Sequence, residues 1–543
     1  MRAAGCAVRR LRRFELSETY DIAVVGSGFA GSLLAMIARR LGRSVILIEK
    51  GTHPRVVIGE SSTPLSNLLL EELTSRYGLT ALAPLTKWGS WQRSYPDIGC
   101  GLKRGFTFHH HVLGAPRPAD SERRDQLLVA ASPRDEIADT HWYRADFDHL
   151  LVREAEKLGV DYVDRVTLKD IRECGEEVTL AGERNGSAVR IRARFVIDAT
   201  GPRGFLHQAL GLRELELPGY PRTQGLYSHF SGVGRLEETV YSRVDERPPH
   251  PIDDAAVHHI FDGGWAWVLQ FNNGVTSAGI AATDDLASQL RFCDGAEAWK
   301  RVVDLIPALK AQFANARASR PFVHMTRMSF RSSEVAGEKW ALLPSAAGFV
   351  DPLLSTGFPL TLLGVSRIAA IIERDWDTQR FHGHLRAYAA QTDLELMATA
   401  RLVGALYANM KNFQVFAGLT MLYFAAASFS EAARRLGKPQ LAQSFLLCNH
   451  PEFGPVCAQL IERSRQTLSK DDSDELIEDI KKTIEPFNVA GLGRSDRRNW
   501  YPVLADDLVA SAEKLSATRK DIVELLERLG FSGSHCPATF FRH

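Results

Sequence analysis

The stretch from Tyr20 to Glu49, YDIAVVGSGFAGSLLAMIARRLGRSVILIE, limits what this chain can fold into more than any other. An apolar run, Ile22 to Val25, predicts a strand. Gly26-Ser-Gly28-Phe-Ala30-Gly31 follows at once, and apolar residues of helical period run from Leu33 to Leu41. A second strand, Val45 to Ile48, ends in Glu49 and Lys50. Strand, glycine turn, helix, strand and acid in this order make a dinucleotide-binding unit. Gly26 permits the tight turn, Gly28 lets a pyrophosphate approach the backbone, and Gly31 lets the helix lie close on the strand. The helix N-terminus offers free N–H groups and a partial positive charge to the phosphates. Glu49 is placed to accept hydrogen bonds from a ribose diol.

The 543 residues can bury a large core and should form two or three structural units. With 66 basic and 65 acidic residues the formal net charge is +1, which gives no argument for nucleic acid. Seven cysteines are scattered without a CxxC pair, which points to a reducing cytoplasm and no structural zinc. Residues 1–19 are basic, lack the apolar run of a signal peptide, and are expected to form a disordered lead. The longest apolar run, Val415 to Phe429, falls short of the ~20 residues of a membrane span and predicts a buried helix.

Val56 to Pro64 is a loop with Gly59, Glu60 and Ser61, ahead of a helix from Leu65 to Leu73. Its small hydroxyl residues suit either contact with a flat ring system or an N-cap by Ser61 to Thr63, and both can hold. Phe106 and Phe108 alternate about Thr107 and predict a strand on which Lys103 faces a different side. The run His109-His110-His111 reads as pocket or loop histidines, because consecutive strand residues point to opposite faces and no zinc spacing accompanies them. Residues 117–139 read as a surface loop and Thr140 to Leu158, with Arg144, as a helix. Strands are expected at 162–166, 178–180, 189–193 and 195–201, the last ending in Asp198 and Gly201.

From Tyr220 to Ala282 the pattern turns strand-rich, with Trp265 and Trp267 on one face as core or pocket wall. Further strands are expected at 322–329 and 340–343. Gly348 to Gly357, with Asp351 and Pro352, then leads into a helix at 360–373, a second place for an anion or cofactor. Beyond Arg380 the chain reads as helical to Gly530, including a helix over 505–529. The fold class is therefore α/β. A Rossmann-type FAD-binding domain (20–205 and 325–380) carries an inserted β-sheet substrate domain (206–324) and a helical C-terminal region (381–543).

The set Gly26-Ser-Gly28-Phe-Ala30-Gly31 with Glu49, Asp198-Ala-Thr-Gly201 and Gly348-Phe-Val-Asp351-Pro352 resembles that of FAD-dependent monooxygenases. Within that group the chain resembles the flavin-dependent halogenases, phenol-acting members above all. Gly59-Glu60-Ser61 is similar to their flavin-strap loop. Gly101-Leu-Lys103-Arg-Gly-Phe-Thr-Phe108 is similar to the strand of their essential lysine. Trp265-Ala-Trp267 is similar to their tryptophan motif, and Asp351 to Gly357 to the segment that holds flavin and halide. The resemblance implies FAD held by Gly26, Gly28, Ala30, Gly31, Glu49, Lys50, Gly59, Glu60, Ser61, Arg144, Asp198, Gly201, Gly348, Asp351 and Pro352. It implies chloride or bromide at Thr356 and Gly357. It also implies a substrate pocket of Phe106, Phe108, His109, Trp265, Trp267, Leu354 and Phe358, with Lys103 catalytic and no metal.

The mechanism so implied runs from reduced FAD and oxygen through a C4a-hydroperoxide to hypohalous acid, which Lys103 directs at an aromatic substrate. Two departures stand out. Leu269-Gln270 replaces the family's Ile-Pro, which favours an aromatic hydroxylase as the alternative. Leu354 replaces the glutamate of tryptophan-acting members, which favours a small phenol-like substrate. A single complete glycine fingerprint implies a separate flavin reductase as partner and no bound NAD(P)H. No nucleic acid and no membrane span are expected, and the localisation is expected to be cytoplasmic.

Overall fold

The computed structural model describes residues 15–116, 122–240 and 247–531. Most of the expected basic lead lies outside this range. Residues 15–19, however, already belong to the first strand.

A seven-stranded sheet carries the nucleotide fold. Its members are β1 (Glu15–Val25), β2 (Val45–Ile48), β7 (Asp161–Val163), β8 (Val166–Cys174), β9 (Glu177–Arg184), β10 (Ser187–Asp198) and β18 (Trp340–Leu342). The order is β7-β2-β1-β10-β9-β8, with β18 also on β10. The two strands expected over 189–201 are one, because β10 continues from an antiparallel pairing with β9 into a parallel pairing with β1. Gly26 sits at φ +98°, and a Cβ there would stand 2.7 Å from the Ala199 carbonyl oxygen. A Cβ on Gly31 would stand 1.9 Å from the Gly26 oxygen. Helix α1 (Phe29–Arg40) can therefore lie on β1 only with glycine at both places.

The second sheet has nine strands, β4 (Gly105–His110), β5 (Gln126–Ala130), β11 (Thr223–Ser231), β12 (Ala256–Phe261), β13 (Gly264–Gln270), β14 (Thr276–Thr283), β15 (Arg317–Ala318), β16 (Val323–Met325) and β20 (Trp500–Tyr501). Its order is β15-β11-β14-β13-β12-β4-β5-β20, with β16 also on β11. The expected domain limits fail here. β4 and β5 come from the segment assigned to the FAD domain, β16 crosses the boundary at 324, and β20 comes from the helical tail. The described part of 117–139 also holds the buried strand β5 rather than a surface loop. Alternation sorts the sheet's two faces. Phe106, Phe108, Trp265, Trp267 and Leu269 enter the main core, while Leu128, Val257, Ala266 and Val268 enter a smaller one behind it.

Two short pairs complete the strands, β3 (Cys100–Lys103) with β6 (Asp139–Trp142) and β17 (Phe330–Arg331) with β19 (Gly348–Phe349). The helix expected from Thr140 thus begins only after β6, as α3 (Arg144–Lys157). Before them, α2 (Pro64–Arg76) is capped by Thr63, whose Oγ1 accepts from Ser66 N. After them come α4 (Gly357–Asp375), α5 (Phe381–Ala408), α6 (Phe413–Arg435) and α7 (Lys470–Ile484). The helix expected over 505–529 is two, α8 (Ala505–Ala510) and α9 (Arg519–Arg528), parted at Ser516 with φ +51°.

Helix α6 contains the longest apolar run and is long enough, at 23 residues, to cross a membrane. Its burial decides its role, since 83% of its apolar window is covered within the protein. Its Phe424 ring stands 5.1 Å from Phe106 and its Phe416 ring 6.0 Å from Phe108, so it roofs the second sheet. The 23-residue segment 353–375, which contains α4, is likewise apolar and 78% covered over its window.

Gly31→Ala places a methyl against the Gly26 carbonyl, and overpacking of this kind costs about 1–3 kcal/mol. Its melting temperature, followed by calorimetry, is expected to fall by several degrees; an unchanged melting temperature would contradict the packing described.

Candidate active site

Gly28 caps α1 in an extended conformation. The nearest atoms to a Cβ there are side-chain atoms, Arg144 Nη2 at 3.4 Å, and Arg55 Nη2 and the Arg144-paired Asp148 Oδ2 at 3.8 Å each. Two guanidinium groups therefore bound the space above the turn, where the first amides of α1 have no helical acceptor. This cradle fits a diphosphate. Arg144 is fixed by a bidentate pair with Asp148, at 2.8 Å for each bond, and Nη1 donates to Gly59 O at 2.9 Å. Glu49 Oε2 accepts from Ser27 N, Ser27 Oγ and Arg55, whereas among the described residues Oε1 accepts only from Gly51 N at 2.9 Å. Oε1 thus keeps a lone pair for a ribose hydroxyl. Burial opposes the charge of Glu49, yet Arg55 and these donors hold its carboxyl below the usual range. Ala30 is buried in the first turn of α1, and Lys50 is exposed just past Glu49. Asp198 spends both oxygens on its own turn, accepting from Thr200 and Leu206, with Gly201 at φ +86°.

A cavity of about 780 Å³ gathers motifs that lie far apart in sequence. Gly59, Glu60 and Ser61 form one wall, Trp265, Trp267 and His258 another, and Asp351, Pro352, Ser355, Gly357 and Phe358 a third. Phe358 stacks on Trp142 at 4.6 Å and meets Phe29 of α1 edge-on at 4.9 Å, which joins this cavity to the nucleotide end. Glu60 Oε1 lies 2.9 Å from His229 Nε2. Leu354 at φ +64° and Ser355 at φ +54° turn the chain just before α4. Thr356 itself is buried, with Gly357 at the cavity face.

Lys103 is fully buried at the end of β3. Arg104 breaks the strand, and its amide donates to Asp254 O at 2.6 Å. The break corrects the expected alternation, for Lys103 ends on the same side as Phe106, with Nζ 3.9 Å from that ring's centroid. Nζ donates to Ser61 Oγ at 2.8 Å and to Ser62 O at 2.5 Å. Ser61 faces the first cavity, and Phe106 faces a second of about 1310 Å³ between α2, β5, α6, β20, α8 and α9. The lysine therefore stands between the two. Burial lowers its pKa against the opposing charge of Asp139.

Three expected pocket residues line neither cavity. Phe108 packs under α6 and against His258 at 4.4 Å, His109 points to the opposite face of β4, and Leu354 is buried in the core. Gly348 supports packing, because a Cβ there would meet Leu396 at 2.7 Å.

Several site residues had no sequence signal. Asp351 accepts from Tyr220 OH at 2.7 Å, Tyr407 OH at 2.9 Å and Leu353 N at 2.8 Å, and Trp265 Nε1 donates to Tyr407 OH at 3.1 Å. Burial raises the Asp351 carboxyl to about 6 against these donors. His258 is pushed down to about 3, by burial first and by the nearby Lys103 charge as well, so it is neutral. The tyrosines come from a loop and from α5, 187 residues apart, so no local pattern could join them. For His258 the alternation of β12 was the one available hint.

The FAD dependent oxidoreductase family profile matches residues 21–339. The tetracycline 7-halogenase of Kitasatospora aureofaciens is 33% identical over 384 residues, 67% of this chain and 66% of that protein. The chain belongs to the FAD-dependent oxidoreductases, and within them it is similar to flavin-dependent halogenases. The monodechloroaminopyrrolnitrin halogenase PrnC of Pseudomonas fluorescens is 28% identical over 382 residues, 67% of this chain and 64% of that protein. The match thus spans just under two thirds of each relative. The crystal structure of halogenase PltM with phloroglucinol and FAD shares the fold at a TM-score of 0.77 and 23% identity, covering 88% of this chain and 99% of that one. The halogenase family fold therefore extends through the helical tail. FAD is the family's cofactor, and the cradle over Gly28 fits it. Among the described residues no cluster of metal-ligating side chains occurs, His109 to His111 included.

No backbone atom obstructs a side chain on Gly28, so Gly28→Val should fold normally while filling the space of the pyrophosphate. Flavin absorbance after gel filtration is expected to vanish with the melting temperature little changed; normal FAD retention would move the nucleotide site elsewhere.

Proposed function

We propose that this protein halogenates an electron-rich, phenol-like ring, using reduced FAD, oxygen and chloride or bromide, with Lys103 as the catalytic residue. The observation that carries this reading is the burial of Lys103 against Ser61, which lines one cavity, and Phe106, which lines another. Halogenation in the names of both relatives supports it.

Bound reduced FAD supplies the activated oxygen that turns halide into hypohalous acid. The chain's part begins with holding the halide. Two consecutive left-handed residues, Leu354 and Ser355, turn the chain just before α4, and the amides of Thr356 and Gly357 at its start are the donors this reading gives to the halide. Such conformations cost about 1–3 kcal/mol each in a non-glycine residue. Their presence in a buried turn supports an anion there, with the helix N-terminus adding partial positive charge. Trp265, Trp267 and Phe358 keep the route to Lys103 apolar. A lysine with a lowered pKa presents more neutral amine, the form that takes halogen.

The substrate cavity is walled mainly by apolar residues, among them Phe106, Tyr423, Phe424, Leu504 and Leu525, with Lys87, Glu431 and Arg435 as charged groups. Its apolar lining suits a small aromatic substrate. A phenolate pushes its own electrons into the ring, which suits Leu354 at the position where tryptophan-acting members carry a glutamate. Gln270, which favoured hydroxylation, does not line the cavity. Its side chain faces Gly234 O at 3.5 Å, and Leu269 lines the wall instead.

Lys103→Ala should bind FAD and consume oxygen yet give less than a hundredth of the wild-type halogenated product. Lys103→Arg should fail too, since guanidinium stays protonated. Product masses with and without halide, from a panel of phenols, make the check. Full halogenation by Lys103→Ala would remove the mechanism, and halide-independent hydroxylation by the wild type would establish the alternative.

With one glycine fingerprint, reduced flavin is expected from a separate reductase. Stopped-flow mixing of the purified FAD-loaded protein with NADPH should show no flavin bleaching within seconds, and rapid bleaching would refute this.

A further inference from the structure

We infer that Asp139 is the proton partner of Lys103, a positioning residue that takes one ammonium proton and returns it to nitrogen as halogen leaves. The inference rests on the proposed halogenation and adds to it the group that makes the lysine reusable.

The geometry is specific. β3 and β6 pair antiparallel with Lys103 directly opposite Asp139. Directly opposed residues of such a pair share a face, with Cβ atoms about 4.5–5.5 Å apart. Both side chains are buried. Asp139 Oδ1 accepts from Asn67 Nδ2 at 2.7 Å, while Oδ2, also buried, has no hydrogen-bond partner among the described residues. Lys103 uses two of its three N–H bonds on Ser61 and Ser62. Nζ stands more than 4.0 Å from the Asp139 oxygens, so a carboxylate oxygen without a donor and an ammonium with one N–H uncommitted share one face, and a single bridging water or a side-chain rotation joins them.

The surroundings favour exchange between them. Burial raises the Asp139 carboxyl, and the Glu431 charge on α6 adds to it, while the Asn67 bond, Lys103 and Arg435 of α6 oppose. Burial lowers Lys103, so the two affinities approach each other. The other titratable groups facing the pair are neutral. His141 of β6 is held well below its usual range and His258 of β12 at about 3, both by burial, and burial raises the Tyr423 hydroxyl on α6 well above its usual range.

The cycle balances. The ammonium of Lys103 passes a proton to the Asp139 carboxylate, leaving a neutral amine and a carboxylic acid. The amine attacks hypohalous acid; an N–halogen bond forms, the O–halogen bond breaks, and hydroxide leaves with the N–H proton as water. The ring then takes the halogen. As the N–halogen bond breaks, Asp139 protonates the nitrogen and the amine is restored. The ring releases its proton through the open cavity, and one proton returns to the pair. The net reaction is arene plus hypohalous acid to haloarene plus water.

The test follows halogen return against pH by two routes, full turnover and hypochlorous acid added directly to the FAD-loaded protein. In the second, Lys103 chlorination and its transfer to an added phenol are read by peptide mass spectrometry. Transfer in the wild type should fall as pH rises through the raised Asp139 pKa, because the carboxyl then has no proton to return. Asp139→Asn should lose this alkaline limb and transfer at least tenfold more slowly at neutral pH, and Asp139→Glu should regain both. Asn67→Ala removes a donor to the carboxylate, raises its pKa, and should move the limb to higher pH in a protein that keeps Asp139. A limb unmoved by Asn67→Ala, an Asp139→Asn protein with the wild-type profile, or a wild type that never chlorinates Lys103 overturns the inference. Transfer with added hypochlorous acid but no product in full turnover would instead refute the proposed function and leave the pair standing.

Discussion

The structure around the active site depends on keeping one cation out of water. Removing an ammonium from solvent costs several kcal/mol even after relaxation, unless good hydrogen bonds and a counter-charge offset it. Lys103 is compensated by Ser61 Oγ, the Ser62 carbonyl, the face of Phe106 and the nearby Asp139. A cation over an aromatic face contributes about 0.5–2 kcal/mol. These groups come from the strap loop, β4 and β6, so the lysine at the end of β3 fixes where the four segments meet. α6 then seals the assembly, its Phe424 against Phe106 and its Glu431 and Arg435 beside Asp139.

A second buried acid joins the units from the other side. Asp351 receives two tyrosine hydroxyls, one from the connection into the nine-stranded sheet and one from the helical tail, and Trp265 of β13 bonds to the latter tyrosine. An unpaired buried carboxylate would cost far more than the hydrogen bonds return. The three regions are thereby held to one arrangement, and the main core runs without a break from the nucleotide sheet into the tail. The strained turn at Leu354 and Ser355 persists because this network and the start of α4 hold it from both ends.

The sequence by itself determined the nucleotide end. Gly26, Gly28 and Gly31 act within one turn, and Glu49 within the next strand, so short-range pattern and local sterics suffice to read them. The shared face of Trp265 and Trp267 was equally legible, because strand alternation is a local rule. The family resemblance brought Lys103, the strap at Gly59 to Ser61 and the segment at Asp351 to Gly357; the strap, Asp351, Pro352, Ser355 and Gly357 line one cavity, and Lys103 is buried against Ser61 beside it. What only the tertiary structure decided are relations between distant stretches. The break at Arg104 put Lys103 on the side of Phe106, against the alternation. The opposition of Lys103 and Asp139 is a matter of register between strands 36 residues apart. The recruitment of β4, β5 and β20 into one sheet followed from edge pairing with strands far away in the chain, which no domain boundary drawn along the sequence could express. The apolar run in α6 had the composition of a membrane helix, and only the partners around it made it core. In each case the deciding energy comes from burial and hydrogen bonding between segments that the chain order leaves unconnected.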